Sequence, residues 1–279
     1  MAISYTHLRR YVDALRRHRR HAPVLSIGDS WFQYPLRRYG DIQRKLATHF
    51  RNELLFMDDS DPGRDAEEVP RFVPSLARAA AYLDEELGRP FRLVLVSLGG
   101  NDVIGRDFEQ HLKRAGDPPQ GRQWKWNGDR PEVVRKHLLL QPLAATFERI
   151  GESYRAIANL RDSHAHGAPI LCHTYADVTP SPKGYEFIGY QTGPWMWGPM
   201  RAVGLRDPGE QRELSRWLLT SFANFLHELG TGIGELVVLD TRRELSEYDG
   251  WWDNEIHPLG KGYKKLVDEH WAPEVGRWL

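Results

Sequence analysis

Two side chains in this sequence are best suited to nucleophilic chemistry: Ser30, in Gly28-Asp29-Ser30, and His257, in Asp253-Asn254-Glu255-Ile256-His257-Pro258. A serine hydroxyl attacks poorly until a neighbouring base removes its proton. Histidine is the natural base, because its ordinary pKa of about 6.5 lies near working pH. Attack on an acyl carbon creates an oxyanion, which is stabilised by donors already in place. Three groups are of the right kind. They are the backbone N–H of Gly63 in Asp61-Pro62-Gly63-Arg64, the backbone N–H of Ser30, and the side-chain amide of Asn101 in Gly99-Gly100-Asn101-Asp102. Each residue also has a plainer reading. Ser30 could cap a helix, Asn101 could stabilise a turn and Gly63 could serve a turn after Pro62. His257 could be an ordinary surface residue.

The elements that must position these residues can be read from periodicity. Short apolar runs at Pro23–Ile27, Leu54–Met57, Leu93–Leu98, Ile170–Thr174 and Leu236–Leu239 read as five buried strands. Helical spacing fills the intervals, over Asp41–Phe50, Asp65–Leu87, Leu143–Leu160, Glu210–Leu229 and Gly262–Trp271. Unalternating strands joined by helices predict a parallel sheet covered on both faces. Right-handed crossovers then give an α/β fold, a three-layer doubly wound sandwich. Ser30, Gly63, Asn101 and His257 all follow strands, so they converge on the carboxyl edge of the sheet, where open α/β sheets place ligands. The chain reads as a single domain, residues 1–279. A basic helix is expected over about residues 3–20, with its arginine face either at a membrane surface or, the preferred reading, outward from a docked helix. Long insertions are expected at about 105–131 and 176–208, the second carrying Trp195 and Trp197, and loops of that length usually shape a site.

Composition narrows the function classes. Thirty-eight basic residues balance thirty-eight acidic ones, which gives no support to a general nucleic-acid binder. One cysteine, Cys172, rules out cysteine-rich zinc patterns and reads as a core thiol. No run approaches the roughly 18 apolar residues of a membrane span, and the arginine-rich start is unlike a signal peptide. Cytoplasmic residence is therefore the default expectation, with export by a signal-independent route left open. Gly230-Thr231-Gly232-Ile233-Gly234 follows a helix and precedes a strand, the reverse of what a phosphate-cradling loop needs. No GxSxG elbow is present.

Taken together, the four blocks resemble the SGNH, or GDSL-type, serine hydrolase superfamily. They comprise a GDS near the start, a later glycine, a GxND, and a histidine followed by proline, and they run from Gly28 to Pro258. The resemblance implies Ser30 as nucleophile, His257 as general base, Gly63 and Asn101 as the oxyanion hole, and a flavodoxin-like sheet of five parallel strands. It implies no metal and no organic cofactor. One departure matters. The family places an aspartate three residues before the histidine, where this chain has Asn254; Asp253 lies four before, and Glu255 is a further candidate. Because a carboxylate stabilises the imidazolium formed during attack, Asp253 is the favoured third member, reached by a one-residue loop adjustment, with Asn254 as the alternative.

The expected activity is hydrolysis of a carboxylic ester through an acyl-enzyme. The partner is then a small-molecule ester, an acyl lipid or an acylated carbohydrate. Trp31, Trp195 and Trp197 are candidates for substrate contact. The competing reading is a non-catalytic carbohydrate- or lipid-binding protein that uses the same cleft.

Overall fold

A computed structural model describes the chain except residues 1–2, 36–39, 52, 115–116, 118–129, 188–189 and 246–249. Its centre is a parallel sheet of β1 (Ile3–Tyr5), β2 (Ala22–Gly28), β3 (Leu54–Ser60), β4 (Leu93–Ser97), β5 (Ile170–His173) and β8 (Leu236–Leu239). The spatial order is β1-β3-β2-β4-β5-β8. All seven residues of β2 and all five of β4 are buried, as expected of strands covered on both faces. Helices α3 (Val69–Ala81), α6 (Leu140–His164) and α8 (Pro208–Gly232) pack in sequence against one another, while α2 (Ile42–His49) packs with α9 (Gly260–Leu266). Buried Asp41 starts α2 by accepting the Arg44 N–H at 2.7 Å.

The five expected strands are all present, and a sixth joins them. Ile3–Tyr5 was expected to begin the basic helix, but it is an edge strand paired in parallel with Leu55–Met57. The reason is a tertiary contact: the Ser4 hydroxyl donates to the Asp58 carboxylate at 2.7 Å, which fixes the edge beyond the short ladder. The helix itself, α1, spans Leu8–Arg17 and buries Tyr11, Val12, Ala14 and Leu15. The segment 176–208 is structured too. It carries a hairpin of β6 (Tyr185–Phe187) and β7 (Tyr190–Thr192), followed by helix α7 (Trp197–Ala202). Within 105–131, a short turn of helix at Phe108–His111 is described, whereas Trp124 and Trp126 lie outside the described residues. Cys172 is buried on β5, where burial pushes its thiol up to about 12. Among the described residues, no helix is long and apolar enough to cross a membrane.

Topology places the site. From β2 the chain moves to β3 on one side, then crosses to β4 on the other. Gly28 pairs with Ser60 and with Ser97, so the loops after β2, β3 and β4 leave the sheet side by side. This is the switch point at which open α/β sheets form a crevice.

Candidate active site

Ser30 sits two residues past β2, on a turn built by Asp29. The Asp29 carboxylate accepts the Trp31 N–H at 2.9 Å, the Ser97 hydroxyl at 2.9 Å and the Tyr175 hydroxyl at 2.5 Å. Its backbone carbonyl accepts from Phe32 and Gln33. Burial raises the Asp29 pKa to about 6, and the Tyr175, Trp31 and Ser97 donors hold it from rising further. The nucleophile candidate therefore stands on a rigid, fully hydrogen-bonded base.

His257 is delivered by a closed loop after β8. Trp252 and Pro258 form an antiparallel bridge, and the Asp253 N–H donates to the His257 carbonyl at 2.8 Å. Within this loop the Asn254 Oδ1 accepts the N–H groups of Ile256 and His257, at 3.2 and 3.0 Å. That local turn is the ordinary habit of asparagine side chains, and it sets the amide oxygen 2.9 Å from His257 Nδ1. On the other side of the ring, Nε2 lies 2.7 Å from Ser30 Oγ. An amide oxygen only accepts, so Nδ1 carries the proton and Nε2 presents a lone pair to the serine.

The partner of His257 is thus Asn254, and Asp253 does not meet the ring. No one-residue loop adjustment occurs, because the turn made by the Asn254 side chain fixes the register. The Asp253 carboxylate instead accepts the Tyr34 hydroxyl at 2.5 Å, and the Asn254 amide nitrogen donates to that same hydroxyl oxygen at 3.1 Å. Glu255 is also engaged elsewhere. Its buried carboxylate accepts the N–H groups of Ser181, Met196 and Trp197 at 3.2, 2.9 and 2.8 Å. Burial raises its pKa even against those donors. With no carboxylate on its ring, buried His257 is pushed down to about 3 by desolvation.

The other two blocks are clamped together. The Asn101 amide donates to the Arg64 carbonyl at 2.9 Å, and the Asp102 carboxylate accepts the Ala66 N–H at 3.0 and 3.1 Å. Gly63 has φ +81°, a left-handed conformation suited to glycine, although a Cβ there would meet nothing within 4 Å. Gly105 is needed for closeness instead: a Cβ would sit 2.6 Å from the Asn101 Cα. Ser30, Gly63, Asn101 and His257 line one cavity of about 450 Å³, with Tyr34, Tyr185 and Trp195 among its walls.

Of the three tryptophans expected at the substrate, only Trp195 lines this cavity, its ring edge-on to His257 at 5.5 Å between centroids. Trp31 is buried against His173, Tyr175 and Tyr263. It is a core residue, turned inward as the chain leaves β2. Trp197 gives its N–H to Glu255 and packs its ring beneath the Arg201 guanidinium at 4.8 Å. Among the described residues, Glu244, Glu269 and His270 gather potential metal-ligand atoms within 4.8 Å. The Lys265 ammonium already pairs with both carboxylates, at 3.2 and 3.6 Å, and none of the three lines the cavity.

No protein-family model matches the chain, and no curated protein matches it. Solved structures do. An extracellular lipase from Streptomyces rimosus is 12% identical, with 92% of this chain and 100% of the other covered at a TM-score of 0.50. The chain has the SGNH hydrolase fold. A carbohydrate esterase family 3 structure from Talaromyces cellulolyticus is 13% identical, with 92% of this chain and 97% of the other covered at a TM-score of 0.44. Within the SGNH fold, sequence reasoning overlooked Tyr34. The signal available was its position four residues after Ser30, in the same turn region, but its partners lie at 253 and 254.

Proposed function

We propose that the chain is a serine ester hydrolase in which Ser30 attacks, His257 takes and returns the proton, and Asn254 holds His257. The observation that carries this reading is the 2.7 Å contact between Ser30 Oγ and an unprotonated His257 Nε2, made inside a cavity that also contains Asn101 and Gly63. In the first step the Ser30 oxygen bonds to the acyl carbon and its proton moves to Nε2. The C=O electron pair moves onto oxygen. Collapse expels the alcohol, which takes the proton from Nε2 and leaves the acyl-enzyme. Water repeats the sequence and releases the acid.

Replacing the aspartate of a serine protease triad by asparagine costs about 10⁴-fold because the wrong histidine tautomer results. Here the asparagine presents its oxygen, so the productive tautomer is kept and only the charge is lost. The direct test is labelling with a fluorophosphonate. The native protein should take one adduct, mapped by mass spectrometry to the peptide containing Ser30. A folded protein that takes none would favour the binding-protein reading.

Two further results are expected. One Asn101 amide proton is given to the Arg64 carbonyl; on this reading the other serves the developing oxyanion, and Asn101→Ala should lower kcat by roughly 10²–10³, read against p-nitrophenyl acetate. An unchanged kcat would remove Asn101 from the mechanism. The pH profile should also be unusual. The base works only when neutral, and burial holds His257 down at about 3, so His257 should add no acid limb to kcat/KM between pH 7 and pH 5, and a fall centred near 6 would belong to Asp29 beneath Ser30. Asn254→Asp should move the acid limb upward, since a carboxylate beside the ring favours the imidazolium. A limb at 6.5 that persists in Asp29→Asn would mean that water reaches the His257 ring freely.

A further inference from the structure

We propose that Tyr34 and Asp253 form a positioning relay that fixes the amide of Asn254 and, through it, the reactive tautomer of His257. The inference rests on the ester-hydrolase reading. Its basis is the direction in which each proton must point. A carboxylate only accepts, so the 2.5 Å contact between Tyr34 and Asp253 commits the phenol proton to Asp253. The Tyr34 oxygen is then left as an acceptor toward Asn254, and only the NH₂ end of that amide can satisfy it, at 3.1 Å. The amide oxygen is thereby turned to His257 Nδ1 at 2.9 Å, and Nε2 is left bare for Ser30.

The backbone N–H groups of Ile256 and His257 hold the oxygen end of the amide; Tyr34 holds the nitrogen end. Tyr34 also lies along the His257 ring at 4.7 Å between centroids, with an interplanar angle of 34°. Tyr185 and Tyr263 pack around Tyr34 at 6.1 Å. Asp253 thus acts without touching the base. Its carboxylate sets the sense of a hydrogen-bond chain that runs through Tyr34 and Asn254 to His257. Without it, the Tyr34 hydroxyl is free to turn its proton toward Asn254 and oppose the NH₂ there; only the two backbone N–H groups then favour the native orientation, and the flipped amide, with its NH₂ end at Nδ1, gains population. That arrangement favours a proton on Nε2, where the histidine cannot accept from serine.

The test compares Tyr34→Phe, Asp253→Asn and the exchange Asp253→Asn/Asn254→Asp with the native protein, each checked for folding by circular dichroism. Turnover is measured with p-nitrophenyl acetate, and the His257 tautomer is read by ¹⁵N NMR on histidine-labelled protein. Tyr34→Phe and Asp253→Asn should each lower kcat about tenfold, the scale of one ordinary hydrogen bond, with KM within about twofold. Both should mix the His257 tautomers. The exchange should recover the lost turnover, because a carboxylate at 254 has no end to flip. If Tyr34→Phe does not fold, Asp253→Asn and the exchange decide the matter alone. Native kcat in Asp253→Asn, or a loss of kcat with the tautomer unchanged, would overturn the relay. A native protein that takes no fluorophosphonate label overturns the hydrolase reading and the relay with it. Labelled native protein with fully active Asp253→Asn overturns the relay alone.

Discussion

Ser30→Ala is expected to abolish fluorophosphonate labelling and to lower ester turnover by on the order of 10⁶-fold, the scale seen when a serine nucleophile is removed from a preorganised site. The variant should fold. Ser30 contributes little to the core, and the turn it sits on is held by Asp29 through Trp31, Ser97 and Tyr175. Residual turnover is expected from the oxyanion donors acting on water. Turnover at the native level in a folded Ser30→Ala protein would show that the 2.7 Å contact with His257 serves another purpose.

The second large effect should come from His257→Ala. Losing the base leaves Ser30 as an unactivated alcohol, so the loss should match that of Ser30→Ala. The decisive measurement is the double variant. Residues that act as one unit are not additive, and Ser30→Ala/His257→Ala should be no slower than either single variant. Two independent losses that multiply would mean that His257 and Ser30 contribute by separate routes. Stability is a necessary control, because His257 is buried between Tyr34 and Trp195. Chemical denaturation of each variant separates a lost base from a loosened loop.

Five strands were legible because each is an apolar run without alternation, the mark of a strand buried on both faces. β1 was not, since three residues carry no period and their pairing depends on β3. Ser30, Gly63, Asn101 and His257 could be placed at one edge from their order after the strands. The third position could not be read from charge alone. Asp253 offers the stronger electrostatic partner, but Asn254 closes a turn on the N–H groups of Ile256 and His257, and that local geometry decides which residue faces the ring. Trp31 was misplaced for a similar reason. Nearness to Ser30 in sequence says nothing about which way a side chain turns, and the aromatic cluster of His173, Tyr175 and Tyr263 draws it inward.

Glu255 couples two things that enzymes often keep apart. Asn254 holds His257, the proposed base, while the next side chain grips the backbone at Met196 and Trp197 beside the Trp195 wall of the cavity. The wall therefore cannot swing outward as an independent lid: opening it would strip hydrogen bonds from a buried carboxylate or drag the histidine loop with it. Hydrogen bonds to a charged group are worth about 1.5–3 kcal/mol each, so such opening should be rare on the timescale of turnover. On the hydrolase reading, substrate exchange is expected on the other side of the cavity, where Pro62, Arg106 and Glu109 form the lining. The same coupling constrains how the protein can diversify. Reshaping the Trp195 wall puts the register of His257 at risk, whereas the Arg106 side is tied to Gly63, Gly105 and Asn101 and not to the histidine loop, so the two sides constrain different parts of the site.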